Sequence, residues 1–252
     1  MAKYRFLLLE LVKKGIVLKY RRSFLGILWS LIEPLLTMMV LTYVFRNFFG
    51  HGEPLYAVYI LTGRLMFTLF QSTTKEALRS IRSNASMIKK VYVPKYMYPL
   101  STILYNFVLF LISLIDLGVV MAYKKVPLTW HLLEGFVPIF VLLLFAVGIG
   151  MLLATINVFF RDIEYLWNVF CLLLMYCSAV FYKVDTLKAS DAGWIFKVNP
   201  VYLMIYNLRR TVMEGKGLDR DTMVLGCIFA AISLFVGFTV FYRKQDEFIL
   251  HI

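Results

Sequence analysis

Residues 136–160 read FVPIFVLLLFAVGIGMLLATINVFF, an unbroken run with no Asp, Glu, Lys or Arg. A helix needs about 20 mostly apolar residues to cross a hydrocarbon core about 30 Å thick. This run is therefore long enough to span a bilayer and too apolar to rest in water. Working outward from it, the stretches 28–49, 55–74, 100–123, 166–182 and 223–242 meet the same criterion. The stretch at 166–182 is short and is expected to be broken or re-entrant. Hydrophobic residues make up 61% of the chain and charged ones 17%, with a mean hydropathy of +0.76, against about 25% charged in an ordinary soluble domain. These figures exclude a sizeable soluble catalytic domain. They predict a single all-α integral membrane domain over residues 1–252 with six transmembrane helices.

The positive charges set an orientation. Lys3, Arg5, Lys13, Lys14, Lys19, Arg21 and Arg22 precede the first span, and Lys75, Arg79, Arg82, Lys89, Lys90 and Lys95 lie between the second and third. Arg161, Arg243 and Lys244 fall on the same side. Cytoplasmic segments carry the excess of Lys and Arg, so both termini are predicted to be cytoplasmic. The formal net charge of +12 is accounted for by this topology and by anionic lipid. No nucleic-acid-binding motif accompanies it, and no nucleic-acid partner is expected. The amino end has no small-residue cleavage site behind a compact apolar stretch, so no removable signal peptide is expected.

Three segments outside the spans have helical character. Residues 4–20 mix Phe6, Leu7, Leu8, Leu11, Val12 and Ile16 with Lys13, Lys14 and Lys19, which predicts an amphipathic helix in the membrane interface within residues 1–22; the alternative is a simple basic anchor. At 83–94, Ser83 and Asn84 offer a helix N-cap, Met87, Ile88, Val91 and Tyr92 form an apolar patch, Lys89 and Lys90 supply charge, and Pro94 stops the helix. A rigid basic helix there reads as a docking surface, the alternative being a basic loop that only sets topology. At 199–215, Asn199 and Pro200 form an N-cap and first-turn pair ahead of Val201, Tyr202, Leu203, Met204, Ile205, Tyr206, Leu208 and Val212, ending near Gly215. That helix is too short to cross and too apolar for water. The segment 184–216 is therefore expected to be re-entrant or interfacial on the outer side, before the last span at 223–242.

Polar residues inside spans are costly and mark function by default. Here they are few: Glu33 beside Pro34, Arg64 and Asp116. Each has the alternative of snorkelling or structural pairing, and they form no relay on any one span. Aromatic residues concentrate at Tyr165, Trp167, Phe170, Tyr176, Phe181 and Tyr182, expected to face a first span bearing Trp29, Tyr43 and Phe45. Flat rings with polar tips suit a wall that touches sugar rings without holding them, and they equally suit an interfacial belt. Phosphate-loop, GxSxG and HExxH patterns do not occur. Cys171, Cys177 and Cys227 lack ligand spacing, and His51, His131 and His251 lie far apart, so no metal site, cofactor or catalytic residue is expected in this chain.

Four blocks carry a resemblance: LKYRRSFLGILWSLIEPLL at 18–36, SNASMIKKVYVPKYMYPLS at 83–101, VFFRDIEYLW at 158–167 and NPVYLMIYNLRRTVMEG at 199–215. In this order, spread over nearly the whole chain, they resemble the permease subunits of ABC-2 type exporters for polysaccharides and polyol phosphates, a family that includes exporters of O-antigen, capsular polysaccharide and teichoic acid. The resemblance implies a homodimer in the bacterial cytoplasmic (inner) membrane, joined by two copies of a separate ATPase subunit that holds ATP and Mg. It implies that 84–94, with Asn84, Met87, Ile88, Lys89, Lys90, Val91, Tyr92 and Pro94, is the coupling helix that docks on the ATPase, and that 4–20 is the interface helix. Asn199, Pro200, Tyr202 and Tyr206 would belong to outer gate helices. The first and fifth spans would border the polymer channel, with Trp29, Tyr43, Arg64, Trp167, Phe170, Tyr176, Phe181 and Tyr182 as lining candidates. Arg64 stands where similar permeases carry an apolar residue, and a guanidinium there can contact phosphate or a uronic acid. Arg21, Arg22, Arg161 and Asp162 are expected at the cytoplasmic mouth, the basic ones attracting the pyrophosphate of a lipid-linked glycan or polyol phosphate polymer. The alternatives are an ABC-2 exporter of small molecules or drugs, and a membrane-embedded transferase using lipid-linked sugar, which would need a carboxylate or metal cluster that the sequence lacks.

Overall fold

The structure, a computed structural model, describes residues 4–21, 23–49, 54–90, 93–184 and 193–251. Among them all regular structure is helical. In chain order the helices are α1 (Arg5–Tyr20), α2 (Trp29–Phe49), α3 (Tyr56–Ser83), α4 (Ala85–Lys90), α5 (Met97–Tyr123), α6 (His131–Glu134), α7 (Phe136–Phe159), α8 (Ile163–Cys177), α9 (Gly193–Val198), α10 (Pro200–Met213), α11 (Arg220–Lys244) and α12 (Phe248–His251), with short 3₁₀ turns ahead of α2 and α12.

Four stretches are long and apolar enough to cross a membrane: Gly26–Phe45, Met97–Tyr123, His131–Phe159 and Arg220–His251. The other two expected spans differ for separate physical reasons. α3 is 28 residues long, about 42 Å of helix, but it carries Arg64, Lys75, Glu76, Arg79 and Arg82. It tolerates them because it is the central element, packed by α2, α5, α7, α8 and α10. Protein covers it where lipid would cover a peripheral span. α8 is only 15 residues, about 22 Å, and ends at Cys177, well before the expected boundary at 182.

α7 and α11 make the closest helix pair. A Cβ placed on Gly148 would sit 2.2 Å from the Ser233 carbonyl carbon, and one on Gly237 would sit 2.1 Å from the Gly148 oxygen, so the two backbones touch. In lipid, where apolar burial gives little drive, such small-residue contacts are how helices associate. Ser233 adds a hydrogen bond from its hydroxyl to the Phe145 carbonyl at 3.3 Å.

The expected N-cap at Ser83 and Asn84 is not formed by side chains. Both side chains point back and donate to the Ser80 carbonyl, at 3.2 and 2.8 Å, closing α3. Only the Asn84 carbonyl serves α4, accepting from Met87 and Ile88 at 3.0 Å. At the other end of the bundle the Asn199 carboxamide oxygen caps α10 by accepting from the Val201 and Tyr202 amides. α1 packs along α5, with Gly15 set against the Tyr105 ring.

If the α7–α11 contact is backbone on backbone, Gly148→Ala forces the helices apart, at a cost on the order of 1–3 kcal/mol. The matched change Gly118→Ala meets nothing within 4 Å. Thermal unfolding of purified protein in detergent should show a lowered midpoint for the first and an unchanged one for the second.

Candidate functional site

At one end of the bundle α4 presents a short basic surface. It has six residues, too few to hold a helix alone, and it is anchored by Ile88, which is 8% exposed and sits in a cluster with Ile81, Tyr98, Val158, Phe241 and Phe248. Met87 packs against the same cluster, whereas Ser86, Lys89 and Lys90 are exposed. The apolar patch expected from Met87 and Ile88 is thus turned into the bundle, and the outward face is polar and cationic. Val91 and Tyr92 lie outside the described residues. The described part of α4 runs to Lys90, and the Pro94 carbonyl accepts from the Met97 amide at 3.0 Å, at the entry to α5.

At the opposite end, α8 stops and the chain turns through Ser178–Val184 as irregular backbone. Ala179 has φ +49°, a left-handed conformation that a residue with a Cβ resists. Every carbonyl from Cys177 and Ala179 to Tyr182 has a side-chain donor. Arg209, 7% exposed, donates from Nη1 to Ala179 at 2.9 Å and from Nη2 to Val180 at 3.0 Å and Tyr59 at 2.9 Å. Tyr56 donates to Phe181 and Tyr59 to Tyr182, both at 2.6 Å. Asn199 donates to Cys177 and to the Ser178 hydroxyl, both at 3.0 Å. The guanidinium carbon lies 3.4 Å from the centroid of the Tyr59 ring, and no carboxylate among the described residues pairs with it. Room for this group comes from Gly63, where a Cβ would lie 2.4 Å from Arg209 Nη2.

Arg64, the cation singled out from sequence, is half-buried in a cavity of about 190 Å³ that it shares with Glu33, Lys19, Tyr20 and Asn106. Its Nη1 lies 3.9 Å from the Met175 sulfur. Beside the cavity, Asn106 donates to Glu76 at 2.9 Å, and Lys19 approaches the same carboxylate at 3.5 Å.

The aromatic candidates do not form one wall within the chain. Trp29, Tyr43, Phe170 and Tyr176 are exposed, Tyr43 at 85%. Trp167 instead folds onto α3, donating to Thr74 at 3.1 Å and stacking on Phe170 at 5.1 Å. Phe181 is buried and stacks on Phe45 at 5.6 Å. Tyr182 is half-buried and bonds its hydroxyl to the Tyr176 carbonyl. Tyr202 and Tyr206 stack at 6.2 Å on α10, next to a ring contact of Tyr202 with Phe196 at 5.2 Å. Arg21, Arg161 and Asp162 are exposed, and Asp162 precedes α8 without a side-chain cap bond; Arg22 lies outside the described residues.

Arg209 was missed in the sequence, although a signal exists. It falls in phase with Val201, Ile205, Leu208 and Val212, the apolar stripe of α10, and a charge placed on such a stripe must find partners.

The sequence is similar to known proteins along nearly its whole length. The sequence pattern of the family described as ABC-2 type transporter matches residues 7–213. The chain is 29% identical to the O-antigen export system permease protein RfbA of Klebsiella pneumoniae, over 96% of this chain and 93% of that protein. It is 27% identical to the RfbA protein of Myxococcus xanthus, over 97% and 95%. It is 26% identical to the capsule polysaccharide export inner-membrane protein CtrC of Neisseria meningitidis serogroup A, over 76% and 74%.

Arg209→Met would leave the buried Val180 carbonyl without a donor, at roughly 1–3 kcal/mol, and would take one bond each from the Ala179 and Tyr59 carbonyls, which keep the Tyr59 hydroxyl at 3.3 Å and the Thr62 hydroxyl at 3.0 Å, so a fall in the thermal midpoint in detergent is expected. Arg209→Lys keeps the charge but loses the planar fork and should fall between. Gly63→Ala displaces the same group, so combining it with Arg209→Met should add little to either alone; full additivity would show that the two residues act independently.

Proposed function

The chain belongs to the ABC-2 type transporter family, and on that premise we propose that it is the membrane subunit of an ATP-driven exporter that moves a lipid-linked polysaccharide or polyol phosphate polymer across the bacterial cytoplasmic membrane. The observation that carries this reading is the near full-length likeness to permeases named for O-antigen export. A capsule polysaccharide export protein of the inner membrane matches over about three quarters of the chain.

In this reading the polypeptide makes and breaks no bonds in its cargo. ATP and Mg reside in a separate ATPase, two copies serving a homodimer of this chain. α3 and α8 complete six crossings, with α3 shielded from lipid by its neighbours and α8 continued by the irregular backbone that Arg209 satisfies; such backbone is tolerated at membrane depth only where protein or a wet cavity covers it. Both termini, α1 and α4 face the cytoplasm, as the distribution of Lys and Arg supports. α1 lies in the interface, and α9 and α10 form the outer gate with Asn199, Pro200, Tyr202 and Tyr206. The exposed rings of Trp29, Tyr43, Phe170 and Tyr176 meet their counterparts on the second copy across a polymer path, and such rings tolerate sliding sugars because their contacts are flat and undirected. Arg64, inside the bundle, contacts acidic groups on the cargo only where its cavity opens to that path. Arg21 and Arg161, with Asp162 beside them, gather the pyrophosphate of the lipid carrier at the cytoplasmic mouth. Lys89 and Lys90 present positive charge to the ATPase, and the stroke delivered there shifts the α2 and α8 faces as rigid bodies.

Two experiments test this. A phosphate-loop ATPase from the same host should co-purify with the wild-type chain, and Lys89→Glu combined with Lys90→Glu should lower its recovery at least fivefold. In a background where Cys171, Cys177 and Cys227 are replaced, Lys89→Cys should react with a membrane-impermeant maleimide only after the cells are opened. Labelling in intact cells would falsify the orientation and the docking assignment together.

A further inference from the structure

The segment after α11 has no part in the reading above, yet it is folded against the cluster that anchors α4. The chain makes a 3₁₀ turn at Gln245–Glu247 and a final helical turn, α12. Phe248 is 0% exposed. Its ring meets that of Phe241 on α11 at 5.3 Å and that of Phe159 at the end of α7 at 6.1 Å. Lys95, in the connection between α4 and α5, donates to the Gln245 carbonyl, and its ammonium stands 5.8 Å over the Phe248 ring. Ile88 of α4 packs into the same cluster.

These contacts define where a load on α4 goes. Its outward face is polar and its inward face is Met87 and Ile88, so a push from the cytoplasm arrives first at a close-packed aromatic cluster, which transmits displacement because interiors have low compressibility. Within that cluster Phe248 bridges α11 and α7, and Lys95 fastens the connection after α4 to the same segment. α7 and α11 are already joined backbone to backbone at Gly148 and Gly237. We propose that residues 245–251 are the transmission element of the exporter: through Phe248 and Lys95 they deliver the stroke received by α4 to the α7–α11 pair. The inference rests on the reading of α4 as the docking helix, and Phe248 and Lys95 are positioning residues that touch neither cargo nor nucleotide.

The test uses the full chain co-expressed with its ATPase in the host that makes the polymer, with the chromosomal copy replaced. Surface carbohydrate on intact cells is read by periodate and hydrazide labelling, normalised to assembled complex. Phe248→Ala should leave ATPase co-purification and ATP hydrolysis within twofold of wild type while surface carbohydrate falls at least fivefold, and Phe248→Leu should recover at least half of it. Wild-type export per complex in Phe248→Ala overturns the proposal, as does a parallel loss of assembly and export, which would make the segment merely structural. If Phe248→Ala does not accumulate, Lys95→Met, which leaves the aromatic cluster whole, decides by the same criteria, with export expected to drop at least threefold. Failure of both variants to accumulate would assign the segment to folding alone and overturn the proposal. The Lys89→Glu and Lys90→Glu pair reports separately on docking, so an ATPase that stays bound and coupled there defeats the α4 reading without reference to Phe248.

Discussion

The guanidinium of Arg209 makes the break after α8 possible. A helix that ends inside packed protein leaves carbonyls with no water to bond, and each costs about 1–3 kcal/mol unless the protein answers it. Arg is suited to this, since one rigid plane carries five donors. Here that plane reaches carbonyls on both sides of the gap, at Ala179 and Val180 on the break and at Tyr59 on α3. Helical side chains lean toward their own N-terminus, so Arg209 reaches back along α10 toward the end where Asn199 binds the same break at Cys177 and Ser178. One helix therefore staples the irregular backbone twice. The left-handed backbone at Ala179 costs on the order of 1–3 kcal/mol, and it persists because these bonds over-determine it.

α3 is the frame on which this rests. Tyr56 and Tyr59 serve the break at one end of it, Thr74 receives Trp167 midway, and Arg79 pairs with Glu164 near the other. α8 and the backbone that follows it are thus tied to α3 by polar contacts as well as by apolar packing such as Trp167 against Phe70. The same logic explains the mixed composition of α3. A helix that must offer donors and acceptors to its neighbours cannot also be as apolar as α7, whose partner α11 asks only for close backbone approach.

The most apolar helices were legible in the sequence, because a bilayer imposes one demand, length and apolarity, and hydropathy reads it directly. α5, α7 and α11 fall within a few residues of the expected spans. What hydropathy could not convey is which apolar stretch sits inside. The expected second span was placed at 55–74, whereas α3 continues nine residues further as a charged, protein-covered helix. The N-cap at Asn199 was readable because Asn-Pro ahead of an apolar stripe has one local meaning. The side chains of Ser83 and Asn84 were misread because a residue between two helices can close the first as well as open the second, and only the relative placement of the helices decides. Arg209 is harder to read than Arg64 for a related reason: hydropathy marks a cation as costly where it falls inside a span, and the more deeply buried cation lies in a helix too short to cross.

The two ends of the bundle are held by different chemistries, and this bears on where motion can occur. Around Arg209 the contacts are directional hydrogen bonds that cannot slide without breaking. Around Phe248 they are mainly ring edges and the ammonium groups of Lys95 and Lys244 over rings, with one hydrogen bond from Lys95 to the Gln245 carbonyl. Between them α7 and α11 form the stiffest pair, while α2 is the apolar helix least covered by its own chain. In the proposed exporter a load entering near α4 would be carried along the α7–α11 pair and resisted at the Arg209 end, leaving movement to the faces least covered by their own chain, on α2 and the outer side of α8. These are the surfaces that bear Trp29, Tyr43, Phe170 and Tyr176. In the proposed exporter, a path that widens for passing sugar rings would be built from these exposed faces, with α2 kept on α5 by the bond from the Ser113 hydroxyl to the Ser30 carbonyl at 2.9 Å and α8 kept on α3 by that from Trp167 to Thr74 at 3.1 Å.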